Sequence, residues 1–80
     1  MTVNQIKVGD ILIRQNDHLG RDDSRLKVVK KMRGVKTYFE TEDVQYHSMS
    51  RQYATSLSAQ GYNQIERNGV VIGTFCAKYW

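Results

Sequence analysis

R-L-K-V-V-K-K-M-R-G-V-K-T-Y-F-E, residues Arg25 to Glu40, alternates apolar and polar side chains on either side of a single glycine. Leu26, Val28, Lys30 and Met32 fall on one side of an extended chain, and Lys27, Val29, Lys31 and Arg33 on the other, because successive strand residues point to opposite faces. Arg33–Gly34 supplies the reversal, with Gly34 free to adopt positive φ. The return run alternates as Val35, Thr37, Phe39 against Lys36, Tyr38, Glu40. The stretch therefore reads as a β-hairpin. Its expected inward set is Leu26, Val28, Met32, Val35 and Phe39. Its outward set places Tyr38 among Lys27, Lys31, Arg33 and Lys36.

Outward from this hairpin, Ile6–Val8–Gly9–Asp10–Ile11–Leu12–Ile13–Arg14 reads as a turn feeding a strand. Ile11–Leu12–Ile13 is continuously apolar, the pattern of a strand covered on both faces, as in a small closed barrel. Gln15 to Ser24 is a polar loop rich in turn formers. Near the C-terminus, Tyr62–Arg67 and Val70–Phe75 flank Asn68–Gly69, the sequence of a type I′ hairpin turn. Between the two hairpins, Met49, Tyr53 and Leu57 recur every four residues and Gly61 sits where a helix-ending glycine belongs. A short helix within residues 41–60, capped by Thr41 or Ser48, is the expectation there. A strand through Val44–Gln45–Tyr46 competes with it.

The fold class expected is mainly β (α+β): a small SH3-like β-barrel or a strongly bent antiparallel sheet with one short helix. All 80 residues form one domain with a thin core, since a chain of this size buries only about 60–65% of its unfolded surface. There is no repeat or low-complexity run. Met1 and the aromatic end at Tyr79–Trp80 predict a complete small gene product. With proline absent, sharp reversals fall to Gly, Asn and Asp.

The pairing of Val8–Gly9–Asp10–Ile11–Leu12–Ile13–Arg14 with Leu26 to Phe39 resembles the SH3-like small β-barrel, in particular the tiny barrel proteins encoded by bacteriophages. In that group a lysine–valine–glycine–aspartate entry to the first strand precedes a variable loop and a basic strand, a turn and an aromatic strand. The resemblance covers residues 6–40. It implies a barrel-type fold and a phage or accessory origin, and it brings no catalytic residues with it.

Charge is concentrated in the same hairpin. Six of the chain's 12 basic residues (Arg25, Lys27, Lys30, Lys31, Arg33 and Lys36) lie within residues 25–36, which contain no acid. Residues 1–24 and 37–80 each sum to −1, so the net charge of +4 is local in origin. A local basic surface suggests a polyanionic or acidic partner. Lys27, Lys31, Arg33 and Lys36 with Tyr38 can track a phosphate backbone and stack a base. The same residues can meet an acidic protein surface, or the lysines can simply guard strand edges against mispairing.

Other chemistries find little material. Cys76 is the single cysteine, which rules out an internal disulfide and points to a reducing compartment. On its β-prone run it reads as a small core residue beside Ile72 and Thr74. His18, His47 and Cys76 lack metal-ligand spacing, and the Asp17–His18–Asp22–Asp23 cluster reads as a solvated turn. No nucleophile elbow, phosphate loop or paired-carboxylate spacing occurs. No catalytic, cofactor or metal site is expected. No run is long and apolar enough for a membrane span or signal peptide, so a cytoplasmic protein is expected.

The functional expectation is a non-enzymatic binding protein, a phage-type accessory protein that binds and modulates or inhibits a host or defence protein. The partner-binding residues expected are Lys27, Lys31, Arg33, Lys36 and Tyr38, with Tyr79 and Trp80 as terminal anchors or core plugs. Nucleic-acid binding through the same hairpin is the alternative, and self-association through an unpaired strand edge a third.

Overall fold

The alternation around Gly34 takes shape as two adjacent strands at the middle of one sheet. In the computed structural model, which describes residues 3–15 and 23–76, a 3-10 turn at Val3–Gln5 precedes β1 (Ile11–Arg14), β2 (Ser24–Met32), β3 (Tyr38–Asp43) and β4 (Met49–Tyr53). The helix α1 (Ala54–Ala59) follows, then β5 (Tyr62–Arg67) and β6 (Val70–Thr74). The sheet order is β4-β3-β2-β1-β5-β6, antiparallel throughout. The chain thus meanders through four strands, turns through α1, and returns β5 to the free side of β1. The architecture is mainly β with one short helix.

Leu12, Leu26 and Ile65 stand opposite one another across β1, β2 and β5, and all three are buried. Val28, Phe39, Ala54, Leu57, Tyr62 and Phe75 complete the inner layer, with Val3 and Ile6 from the N-terminal segment. The molecule measures 32 × 24 × 23 Å. The helix and the N-terminal segment contribute Ala54, Leu57, Val3 and Ile6 to the same core as the sheet residues.

Both hairpins form. Asn68 (φ 54°) and Gly69 (φ 80°) take the two left-handed positions that a type I′ turn requires, and Arg67 pairs with Val70 across it. The first hairpin differs from strict alternation at one point. Val28 pairs with Thr41 but Lys30 pairs with Glu40, so Val29 is an extra residue in β2. Beyond such a bulge every side chain changes face. Lys31 consequently pairs with buried Phe39, and Met32 pairs with Tyr38 on the outer face. This reverses the expected places of both residues. Val35, expected inside, lies in the turn and is 98% exposed. Leu26, Val28 and Phe39 are core as expected.

The stretch 41–60 holds the largest departures. Met49 and Tyr53, expected on a helix, belong to β4, where all five residues pair with β3; strand pairing overrides a four-residue recurrence. Val44–Tyr46 is a turn rather than a strand. Asp43 builds it, its Oδ1 accepting from the amides of Gln45 and Tyr46, both at 2.8 Å. The helix is one and a half turns of A-T-S-L-S-A, preceded by Tyr53 in extended conformation with no side-chain cap, and not by Thr41 or Ser48. Its first amide, that of Ala54, donates instead to the Thr37 carbonyl at 3.1 Å. Gly61, at φ 99°, ends it as expected. Cys76, expected as a small core residue, is exposed, and its neighbour Phe75 is buried. Leu12 is fully buried, while Ile11 and Ile13 are only half-buried.

Candidate partner-binding face

The outer face of β2–β4 follows from the register. Directly opposed residues in antiparallel strands share a face and touch. Three rows cross the strands: Lys27–Glu42–Met49, Lys30–Glu40–Arg51 and Met32–Tyr38–Tyr53. An acid on β3 therefore stands opposite each of Lys27 and Lys30. Glu40 stands between Lys30 and Arg51, and Arg51 donates to it at 2.7 Å and is held further toward its charged form by that bond.

Lys27 and Lys30 are exposed and form no ion pair among the described residues, whereas Arg25 and Lys31 are engaged. Arg25 lies opposite Ile13 and Glu66 opposite Ile11, and the Arg25–Glu66 ion pair bridges β1 above them. Lys31, turned inward by the bulge, donates to the carbonyls of Val3 (2.9 Å), Asn4 (3.3 Å) and Ile6 (3.0 Å). Those are three acceptors for its three protons. Burial lowers its pKa, as does the charge of Arg33, while Asp10 opposes the shift. The sequence reading missed this role because the acceptors lie 25 or more residues away in the chain.

A second anchor fixes the same N-terminal segment. Buried Asp10 accepts from Arg67 Nε (2.8 Å) and Nη2 (2.7 Å) and from the Lys7 amide (2.9 Å). Arg67 Nη2 also donates to the Gln5 carbonyl at 3.1 Å. Burial pushes the Asp10 carboxyl up, but the bonds from Arg67 and Lys7 outweigh it and the net shift is downward.

Arg33 and Lys36 remain. Both are exposed in the turn between β2 and β3, and among the described residues neither forms an ion pair. Fully exposed Val35 sits between them. The turn adjoins the Met32–Tyr38–Tyr53 row, where the two tyrosines meet edge to face with centroids 5.9 Å apart. Arg51 stacks over Tyr38 at 5.7 Å. Tyr53 is 52% exposed. Below it, Tyr38, Arg51, Gln52, Tyr53, Ser56 and Gln60 line an open groove of about 470 Å³, its floor tied by a Gln60–Gln52 hydrogen bond of 2.6 Å.

Of the residues expected to bind a partner, Arg33, Lys36 and Tyr38 thus come together at one end of the sheet. Lys27 lies on the same face further along, and Lys31 lies beneath it. Tyr79 and Trp80 are outside the described residues. Tyr53, Arg51 and Met32 join the face without having been anticipated, because only the β3–β4 pairing and the bulge bring them there. Comparison of the chain with known protein families, with curated proteins and with solved structures finds no match.

Proposed function

We propose that this chain is a non-enzymatic binding protein that docks on another protein through the β2–β3 turn and the tyrosine row beside it. The setting that fits is the cytoplasm of an infected bacterial cell, where a phage-type accessory protein binds and modulates a host or defence protein. The observation that carries the reading is the exposed Arg33–Gly34–Val35–Lys36 turn, in which an exposed valine is framed by two cations without an ion pair among the described residues and backed by Tyr38 and Tyr53. Arginine and tyrosine anchors around an apolar contact are the composition of protein–protein hot spots. Phosphate tracking has weaker support, since Arg25 and Lys31 are tied to Glu66 and to backbone carbonyls and acids of β3 stand in register beside Lys27 and Lys30.

Affinity capture from a bacterial lysate, with and without nuclease, tests this. A partner retained after nuclease treatment and weakened by more than about 1 kcal/mol in Arg33→Ala and in Tyr38→Ala supports the reading. Lys27→Ala should change mainly association rate and salt sensitivity. Loss of all captured material on nuclease treatment, or capture indifferent to both anchor substitutions, overturns it.

A further inference from the structure

The groove between β4 and α1 combines rings, a guanidinium and carboxamides. Tyr38, Arg51, Gln52 and Tyr53 reach it from the sheet, and Ser56 and Gln60 from the helical side. Its volume of about 470 Å³ is that of a cleft able to hold a large side chain or a small ligand. The two rings stand edge to face and Tyr53 is half exposed, so a flat apolar group can pack against them. The Gln52 and Gln60 carboxamides, bonded to each other at 2.6 Å, are groups that carry both donors and acceptors. Peptide groups, with one N–H and one C=O each, match that chemistry. A phosphodiester presents acceptors only.

Around the groove the charge is one-sided. On the paired rows of β2, β3 and β4, Lys27, Lys30 and Arg51 meet Glu40 and Glu42, and the turn adds Arg33 and Lys36, so cations outnumber acids by three. The two turn cations are exposed without an ion pair among the described residues, and Lys36 lies two residues from Tyr38 in the chain. Charge complementarity therefore favours a negatively charged occupant, and it disfavours a second copy of this chain, whose net charge is +4. Resting on the docking reading above, we infer that this face takes an acidic, extended segment of the partner protein, with an aromatic side chain in the groove and carboxylates on Arg33 and Lys36. Arginine meets a carboxylate through paired N–H donors, and an aromatic anchor seated in a pocket supplies most of the energy of such a contact.

The probe is a short fluorescein-labelled peptide of aspartate and glutamate around one tryptophan, titrated with the full chain and read by anisotropy. The expected result is saturable binding that weakens with salt. Arg33→Glu and Tyr53→Ala should each weaken it by about fivefold or more, the loss that removal of an interface anchor brings. Ser56→Phe, which fills the groove and leaves every anchor in place, should weaken it as much, and Lys7→Glu, a charge reversal outside the face, should not. Thermal melts confirm that the variants fold. Alanine in place of the tryptophan should weaken the peptide, and lysines in place of its acids should abolish binding. No saturable binding, a lysine peptide bound equally well, indifference to Ser56→Phe and Tyr53→Ala, an equal loss in Lys7→Glu, or an oligonucleotide bound more tightly overturns the inference. Lysate capture that needs Arg33 and Tyr38 but is not competed by the peptide leaves the docking reading standing and overturns the ligand class. Peptide binding in the groove beside capture indifferent to both residues supports the ligand class and overturns the docking reading.

Discussion

Lys31 illustrates how position in the register, more than residue type, decides what a side chain does. A surface lysine contributes little to stability, but this one satisfies three carbonyls of the N-terminal segment. Lys31→Met should cost about 1.5–3 kcal/mol, the range for hydrogen bonds that involve a charged group. Faster amide exchange at residues 3–7 would locate the damage, and an unchanged melt would contradict the role. Asp10 works with it. Its pKa is lowered in the folded chain, so its contribution is present above the ordinary aspartate pKa and lost as pH falls through the folded value. Acid titration should therefore show a stability loss beginning below about pH 4, and Asp10→Asn should flatten that limb. Phe39, wholly buried at the centre of β3, is the core counterpart. Phe39→Ala should cost about 3–5 kcal/mol, enough to unfold much of so small a domain in a thermal melt.

Among the elements, the hairpins were legible from sequence and the segment between them was not, for one physical reason. Alternation around Gly34 and the Asn68–Gly69 pair are local signals, written in adjacent residues. The β2 bulge is different, because Val29 becomes supernumerary only once Thr41 and Glu40 fix their partners. Likewise Met49–Tyr53 acquires its strand state from five pairings with β3, against a helical recurrence of apolar residues. The turn before it was readable in principle, since Asp43 is a residue type that accepts from amides two and three positions on. Half of the candidate face shared this fate: Tyr38, Arg33 and Lys36 were visible as an alternating basic hairpin, whereas Tyr53 and Arg51 depended on the unforeseen strand. The Asn68–Gly69 turn offers a test at this scale. A Cβ on Gly69 would meet no neighbour, so Gly69→Ala isolates the cost of left-handed backbone, about 1–2 kcal/mol. A thermal melt unmoved by the substitution would show that the turn does not hold this conformation.

For the molecule as a whole, folding divides the basic block, tying down Arg25 and Lys31 and leaving Lys27, Lys30, Arg33 and Lys36 exposed. Glu66 on β5 and the N-terminal carbonyls hold Arg25 and Lys31, while Lys27 and Lys30 stay exposed opposite Glu42 and Glu40 on β3. The turn cations Arg33 and Lys36 lie beside two tyrosines, and on the proposed reading that end of the sheet meets a protein surface and not a phosphate backbone. The most direct test is titration of labelled single- and double-stranded oligonucleotides with the full chain at low salt, followed by fluorescence anisotropy. The predicted result is no saturable binding at micromolar protein. Saturable binding with a log–log salt slope of several units, lost in Arg33→Glu and Lys36→Glu, would contradict the account.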